Sequence, residues 1–209
     1  MTRLVIVGAG GHAAVVAEAA DLQGAWDDIC FIDDKYPDVD EVVGFPVVGD
    51  SSAVHALISD QVDFVVAIGN NGTRLELHRQ IDNSGGHFVT VVHPSACVSS
   101  SARVQPGTVI LAQAVVNARA TIDVACIVNT AATIDHDCEI QAAVHISPGA
   151  HLAGGVSVGE RAWVGIGASV MNDVSIGSNA VIGASAAVIA DVETNNTVVG
   201  VPAGKIRRQ

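Results

Sequence analysis

Aromatic residues are nearly missing from this chain: Phe, Trp and Tyr together make up 3% of its 209 residues. A core of interlocking rings is thereby excluded, yet 49% of the residues are hydrophobic, which leaves a core of small aliphatic layers. Basic residues are also scarce, with 10 Lys and Arg against 22 Asp and Glu and a net charge of −12. That balance argues against nucleic acid as the main partner, because phosphate binding needs clustered cations. The four cysteines, Cys30, Cys97, Cys126 and Cys138, lack CxxC spacing and read as small core fillers rather than as metal or disulfide chemistry. The first apolar run, Leu4 to Val7, is far too short for a signal peptide or a membrane span. The expectation is a cytoplasmic protein of one or two domains with no membrane span.

What the chain does have is a period of six. From Val98 to Val188 every sixth residue is Val, Ile or Leu, sixteen positions without exception. Four residues after each aliphatic residue lies a second restricted position, running Ala102, Thr108, Ala114, Ala120, Cys126 and on to Ala186, always small or β-branched. No helix or hairpin has this period; a parallel β-helix of hexapeptides does. Three six-residue sides close one triangular coil of eighteen residues, so Val98, Val116, Ile134, Leu152, Val170 and Val188 should stack in one column.

The first ninety or so residues read differently. An apolar run at residues 3–8 ends in Gly8-Ala9-Gly10-Gly11-His12, and an Ala- and Val-rich segment with helical spacing follows, from Ala13 to about Leu22. This is strand, glycine turn, helix, a place where backbone N–H groups can meet a phosphate. A second strand, Ile29 to Ile32, delivers Asp33 and Asp34 at its C-terminal end, the edge where doubly wound sheets hold ligands. Strands are expected at Phe45–Val48, Phe64–Ile68 and Phe88–Val92, with helices from about Ser51 and from about Thr73 to Asp82. The domain boundary is placed near His93, giving domains at 1–93 and 94–209. Read alone, Gly8-x-Gly10-x-x-Ala13 with Asp33 suits a nicotinamide site as well as any nucleotide site, but the domain is about half of a dinucleotide fold.

Taken together, IVGAGGHA (6–13), FIDD (31–34), VAIGNNGTR (66–74), HPSA (93–96), NTAATIDHDC (129–138) and GVPA (200–203) resemble the hexapeptide-repeat sugar acyltransferases of bacterial surface-glycan synthesis. That group includes bacillosamine and perosamine N-acetyltransferases and sialic acid O-acetyltransferases. The resemblance implies an α/β plus β architecture: a small N-terminal Rossmann-like βαβ domain followed by a C-terminal left-handed parallel β-helix. It implies a nucleotide-sugar substrate held by Gly10, Gly11, His12, Asp33, Asp34, Gly69 and Asn70, with acetyl-CoA as cosubstrate.

The resemblance also makes His136 the general base, with Asp137, one methylene shorter than the family's frequent Glu, to strengthen it. Neighbours in a strand point to opposite sides, so this pair works only if the chain turns a corner there. His145 matches the family histidine at the thioester end of acetyl-CoA, and Gly154, Ile166 and Ala184 mark rungs for its pantetheine. Nine residues, half a coil, separate His136 from His145, so a site using both draws them from different chains. A homotrimer with shared active sites is expected, its close approach eased by small outward residues such as Ala142, Ala143, Ala153 and Gly154. His145 and His151 are six apart, but a third metal ligand would have to come from another chain, and no metal is expected. The alternatives are a sugar O-acetyltransferase of the sialic acid type and a non-catalytic nucleotide-binding trimeric scaffold.

Overall fold

The computed structural model describes residues 2–205; the basic residues Arg207 and Arg208 lie outside the described residues. The chain begins with β1 (Arg3–Val7), α1 (Gly11–Gln23) and β2 (Asp28–Ile32). A small hairpin follows, β3 (Glu41–Val42) and β4 (Phe45–Pro46), then a short α2 (Val54–Leu57), β5 (Val62–Val66), α3 (Asn71–Asn83) and β6 (His87–Phe88). The four longer-range strands form one parallel sheet in the order β2-β1-β5-β6. β3 is a strand that the sequence pattern does not announce. The strand expected at Phe88–Val92 is in fact two. Phe88 ends the front sheet, whereas Val91–Val92 pairs with Val109–Ile110 and already belongs to the second unit. The break falls after Phe88 because the Val89 N–H donates to the Phe64 carbonyl of β5 while the Val91 N–H donates to the Thr108 carbonyl.

From Val91 onward, two-residue strands recur every six residues and stack into three parallel sheets of a left-handed β-helix. Each rung pairs with the one eighteen residues on: Thr133 with His151, Glu139 with Ser157, His145 with Trp163. Fourteen of the sixteen period-six aliphatics, Ile110 through Val188, are buried in one continuous core. Val98 and Val104 depart from the pattern: they belong to the first coil, which has no coil below it, and Val98 is 36% exposed. In the second series Thr108 through Ala186 are all buried. Cys126 and Cys138 sit in it as fillers, their thiols donating to the Gln141 and Ala153 carbonyls at 3.1 and 3.2 Å. At the far end Val192, Val198 and Ala203 pack on the same core and close it.

Closing each six-residue side demands a sharp bend, and one residue makes it. From Gly107 to Ser185 every sixth residue has a positive φ, between 54° and 77°. Ten of these fourteen are not glycine, among them Arg119, Asp137 and Arg161. That conformation is unfavourable for L-residues, and backbone bonds from the neighbouring coil hold it, such as Asp137 N–H to the Ala118 carbonyl at 3.1 Å.

The front unit rides on the first of the three sheets. Val91, Val109, Leu111 and Ile127 point outward from it and are buried under Ala13, Val16, Ala17 and Ala20 of α1. α3 plugs into a corner, where Leu75 covers Ala125, Ala142 and Ala143. Ala142 and Ala143 are therefore not open to a neighbouring prism, as their small size had suggested; α3 of the same chain occupies that side.

Arg74 holds this junction. It is fully buried, and its guanidinium donates to the carbonyls of Ile68 (2.8 Å), Gly69 (3.3 Å), Ala125 (2.7 Å) and Ala143 (2.9 Å) and to Asn71 Oδ1 (2.8 Å). No carboxylate is among these partners, and burial lowers the guanidinium to about 10, so it stays charged at neutral pH. Carbonyl dipoles in a planar fork offset the desolvation, which an ammonium could not reproduce at five points. Asn71 extends the junction by one coil, donating to the carbonyls of Arg161 and Ala162 at 3.0 and 3.1 Å. Arg74→Met should leave at least the Ala125 and Ala143 carbonyls without donors, at about 1–3 kcal/mol each. The expected result is a melting temperature lower by about 4 °C or more in a calorimetric scan; an unchanged midpoint would contradict the clamp.

Candidate active site

His136 and Asp137 occupy the corner between the second and third sheets of the β-helix. Asp137 is one of the positive-φ residues (59°), so the chain does turn there, and both side chains emerge on the same side. His136 Nδ1 meets Asp137 Oδ2 at 2.7 Å. Arg119, one coil earlier, donates to the same carboxylate through Nε to Oδ1 at 2.6 Å and Nη2 to Oδ2 at 2.7 Å. The Arg119 bond first, and the His136 bond second, hold the Asp137 carboxyl well below the usual range. Asp135 accepts the His136 backbone N–H at 2.8 Å and the Asn117 amide at 2.9 Å, which fixes the approach to the corner. With Nδ1 engaged, Nε2 is the nitrogen left for a substrate, and the imidazole is 58% exposed.

Gly154 lies one coil further along, buried beneath this ring. A Cβ there would sit 2.6 Å from His136 Cε1 and 2.7 Å from Nε2. Its place is thus the floor under the imidazole. Gly165 serves a similar end against backbone, since a Cβ would meet the Ile182 carbonyl at 2.5 Å.

His145 stands on the first sheet, opposite the corner that carries His136. Its ring stacks on Trp163, with centroids 5.5 Å apart and an 11° tilt, and Trp163 Nε1 donates to Ser147 Oγ at 2.7 Å. Burial first, then the charge of Arg74, pushes His145 down to about 3, so it is neutral. Its Nε2 lies 3.2 Å from the Asn129 amide nitrogen, which makes Nε2 the acceptor and puts the proton on the buried, unpartnered Nδ1. His145, Trp163, Ile166 and Ala184 line one apolar groove of about 400 Å³ together with Pro148 and Val181. Three of the four residues assigned to acetyl-CoA meet in this groove, and Gly154 does not. Trp163 was not singled out from the sequence, although its place eighteen residues after His145 was a usable signal.

In the front unit Gly10 and Gly11 face open space, with nothing within 4 Å of a Cβ at either, and Gly10 opens α1 without a side-chain cap. His12 follows in the first turn, largely buried. Burial and the Arg74 charge lower it to about 4, and its Nε2 has no partner. Asp33 is engaged within the fold, accepting from the Ala9 N–H at 2.8 Å and the Lys35 N–H at 2.9 Å. It therefore shapes the glycine turn. Asp34 accepts from the Ser51 N–H at 3.0 Å, and hydrogen bonds from Ser51 lower its carboxyl. Gly69 is open, and Asn70 caps α3 by accepting from the Thr73 N–H at 2.9 Å. Among the described residues no three His, Cys, Asp or Glu side chains are grouped to hold a metal, and no helix is long and apolar enough to cross a membrane.

Comparison with known proteins joins these two units. Residues 3–81 match the PglD N-terminal domain, and residues 155–190 match the bacterial transferase hexapeptide model of six repeats. The acetyltransferase domain of PglB from Neisseria gonorrhoeae FA1090, solved with acetyl coenzyme A, is 41% identical with a TM-score of 0.95, and the match covers 98% of each chain. The chain belongs to the hexapeptide-repeat sugar acyltransferase family. Family members similar to it include PerB from Caulobacter crescentus, solved with CoA and GDP-perosamine, at 39% identity and a TM-score of 0.93 over 99% of this chain and 98% of that one. UDP-N-acetylbacillosamine N-acetyltransferase of Bacillus subtilis (strain 168) is 39% identical over 114 residues, a stretch spanning 54% of this chain and about half, 52%, of that enzyme.

The floor under His136 yields a direct check. Gly154→Ala should tilt the imidazole away from Asp137 and lower turnover on the order of 10-fold or more, with little change in melting temperature. A variant with the turnover of the parent would mean that the ring needs no such floor.

Proposed function

We propose that the protein transfers an acetyl group from acetyl-CoA to the amino group of a nucleotide-linked amino-deoxysugar, of the UDP- or GDP-4-amino-4,6-dideoxy type. The observation that carries this reading is the exposed His136–Asp137 pair, hydrogen-bonded at 2.7 Å on a β-helix corner. His136 Nε2 takes the proton from the amine as it attacks the thioester carbonyl; the C–S bond then breaks as the tetrahedral intermediate collapses, and the proton passes to the departing CoA thiolate. Asp137 orients the imidazole through Nδ1 and stabilises its charged form. The apolar groove along His145, Trp163, Ile166 and Ala184 suits the pantetheine and acetyl end of the cosubstrate, since it offers stacking and apolar contact and no charge. The relatives solved with acetyl-CoA or with CoA and GDP-perosamine support the pairing of these two substrates. The open turn at Gly10 and Gly11, with His12 beside it, is the proposed seat of the sugar and its diphosphate, with Asp33, Asp34, Gly69 and Asn70 around it.

His136 and His145 lie on opposite parts of one prism, so we infer that the working unit is a homotrimer in which each site draws on two chains. Acetyl-CoA consumption with an amino-sugar nucleotide, with a sialic acid, or with neither separates N-transfer, O-transfer and a non-catalytic scaffold. His136→Ala should fold normally and lose on the order of 10²–10⁴-fold in turnover; full activity in a folded variant would remove His136 from the mechanism. Mixing inactive His136→Ala chains with inactive His145→Ala chains should restore part of the activity, with about one interface in four intact at equal mixing. A fully active monomer by light scattering would end the shared-site reading.

A further inference from the structure

We propose that Arg119 is a positioning residue for the reaction: by gripping Asp137 at both oxygens it sets the direction of His136 and tempers the carboxylate's pull on the imidazole. The inference rests on His136 acting as the general base, and it goes beyond the family pattern of a histidine and its following acid. Asp137 is one methylene shorter than Glu, so its reach to the imidazole depends on where its carboxylate is held. Arg119 supplies that hold from the coil before, with two nearly parallel bonds of 2.6 and 2.7 Å. Bidentate geometry of this kind fixes the plane of a carboxylate, which a single contact does not.

Asp137 Oδ2 is shared: it accepts from Arg119 Nη2 and faces His136 Nδ1, both at 2.7 Å. The arrangement is a line of three, guanidinium, carboxylate, imidazole, in which the outer cation drains charge from the acid that supports the base. The other groups near the ring are few. Asp135 is committed to the His136 N–H and to Asn117. The next coil presents two glycines, Gly154 and Gly155, and the coil beyond it places Asp173 against Gly155, its carboxylate bonded by the Asn172 amide at 2.7 Å. Arg119 is thus the cation facing Asp137 among the described residues of the chain. An ordinary exposed ion pair contributes little to stability, so a merely structural pair leaves the kinetics unmoved.

The test is a set of pH–rate profiles on Arg119→Met, Arg119→Lys, Asp137→Asn and the double variant Arg119→Met/Asp137→Asn, each checked for folding by circular dichroism. The base works unprotonated, so the acid limb of the profile marks its loss of a proton. Asp137→Asn removes an anion beside the imidazolium and should move that limb to lower pH. Arg119→Met removes a cation and frees the carboxylate, so the limb should move to higher pH by roughly half a unit or more, while the maximal rate falls on the order of 10-fold. Arg119→Lys keeps the charge and loses the fork; its limb should stay near that of the parent while its rate falls. In the double variant, the Arg119 substitution should have little further effect on either quantity, because its partner is gone. An Arg119→Met protein that folds and keeps both the parent's rate and its profile overturns the proposal, as does failure of the Arg119 variants to fold, which would make the pair structural. Retained turnover in His136→Ala is a separate result, and it would fell the assignment of the base instead.

Discussion

The β-helix, and the candidate base it carries, depend on the bend that ends each six-residue side. A β-strand cannot turn through about a third of a circle without a residue in an unusual conformation, and here one residue in six takes a positive φ. Most are ordinary L-residues, so the conformational cost is met by the coil next door through bonds such as Arg161 N–H to the Ala142 carbonyl at 2.9 Å. The same bend that closes the core throws side chains outward at the corners, well clear of the flat sheets. Asp137 and Arg119 both stand at such bends, one above the other, which is why they meet. The candidate base therefore owes its geometry to the closure of the prism.

The two units are joined by a junction of a different kind. α1 contributes an apolar face, but the specific part is polar: Arg74 and Asn71 reach the backbone of three successive coils, at Ala125, Ala143 and Arg161. Backbone carbonyls at corners are the acceptors because a corner leaves them outside the parallel ladders. The junction links the loop at Ile68 and Gly69 with the rung that carries His145. Burial, and after it the charge of Arg74, keeps both His12 and His145 neutral. The apolar groove and the glycine turn are thus held in one electrostatic setting.

The β-helix was legible in the sequence because its core position recurs at a fixed interval and only small or branched aliphatics fit a narrow prism. His136, Asp137, His145, Ile166 and Ala184 were proposed by resemblance, and the structure brings the last three to one groove. Local pattern could not reach contacts that depend on stacking. Arg119 carries no signal by itself; it matters because it is one coil from Asp137. Trp163 stands in the same relation to His145, and Gly154 to His136. Asp33 illustrates a different limit: an acid at the end of a strand looks like a ligand contact, but nothing in the sequence shows that its oxygens also brace the turn by accepting from the Ala9 and Lys35 N–H groups. Arg74 was invisible as a junction, since nothing in a sequence marks a guanidinium that will be buried among carbonyls.

The vertical stacking also gives this chain an unusual grammar of length. Arg119 and Asp137, His136 and Gly154, His145 and Trp163 are each eighteen residues apart. An added or lost hexapeptide between the members of such a pair would preserve the aliphatic core and the bends. It would nevertheless carry one member round to a different side of the prism. Only insertions in whole turns leave the register of a column intact, and even these drive its members one storey further apart. Between residues 119 and 163, length itself is under chemical constraint, whereas the stack beyond Ala184 is free to gain or shed turns so long as its end stays covered.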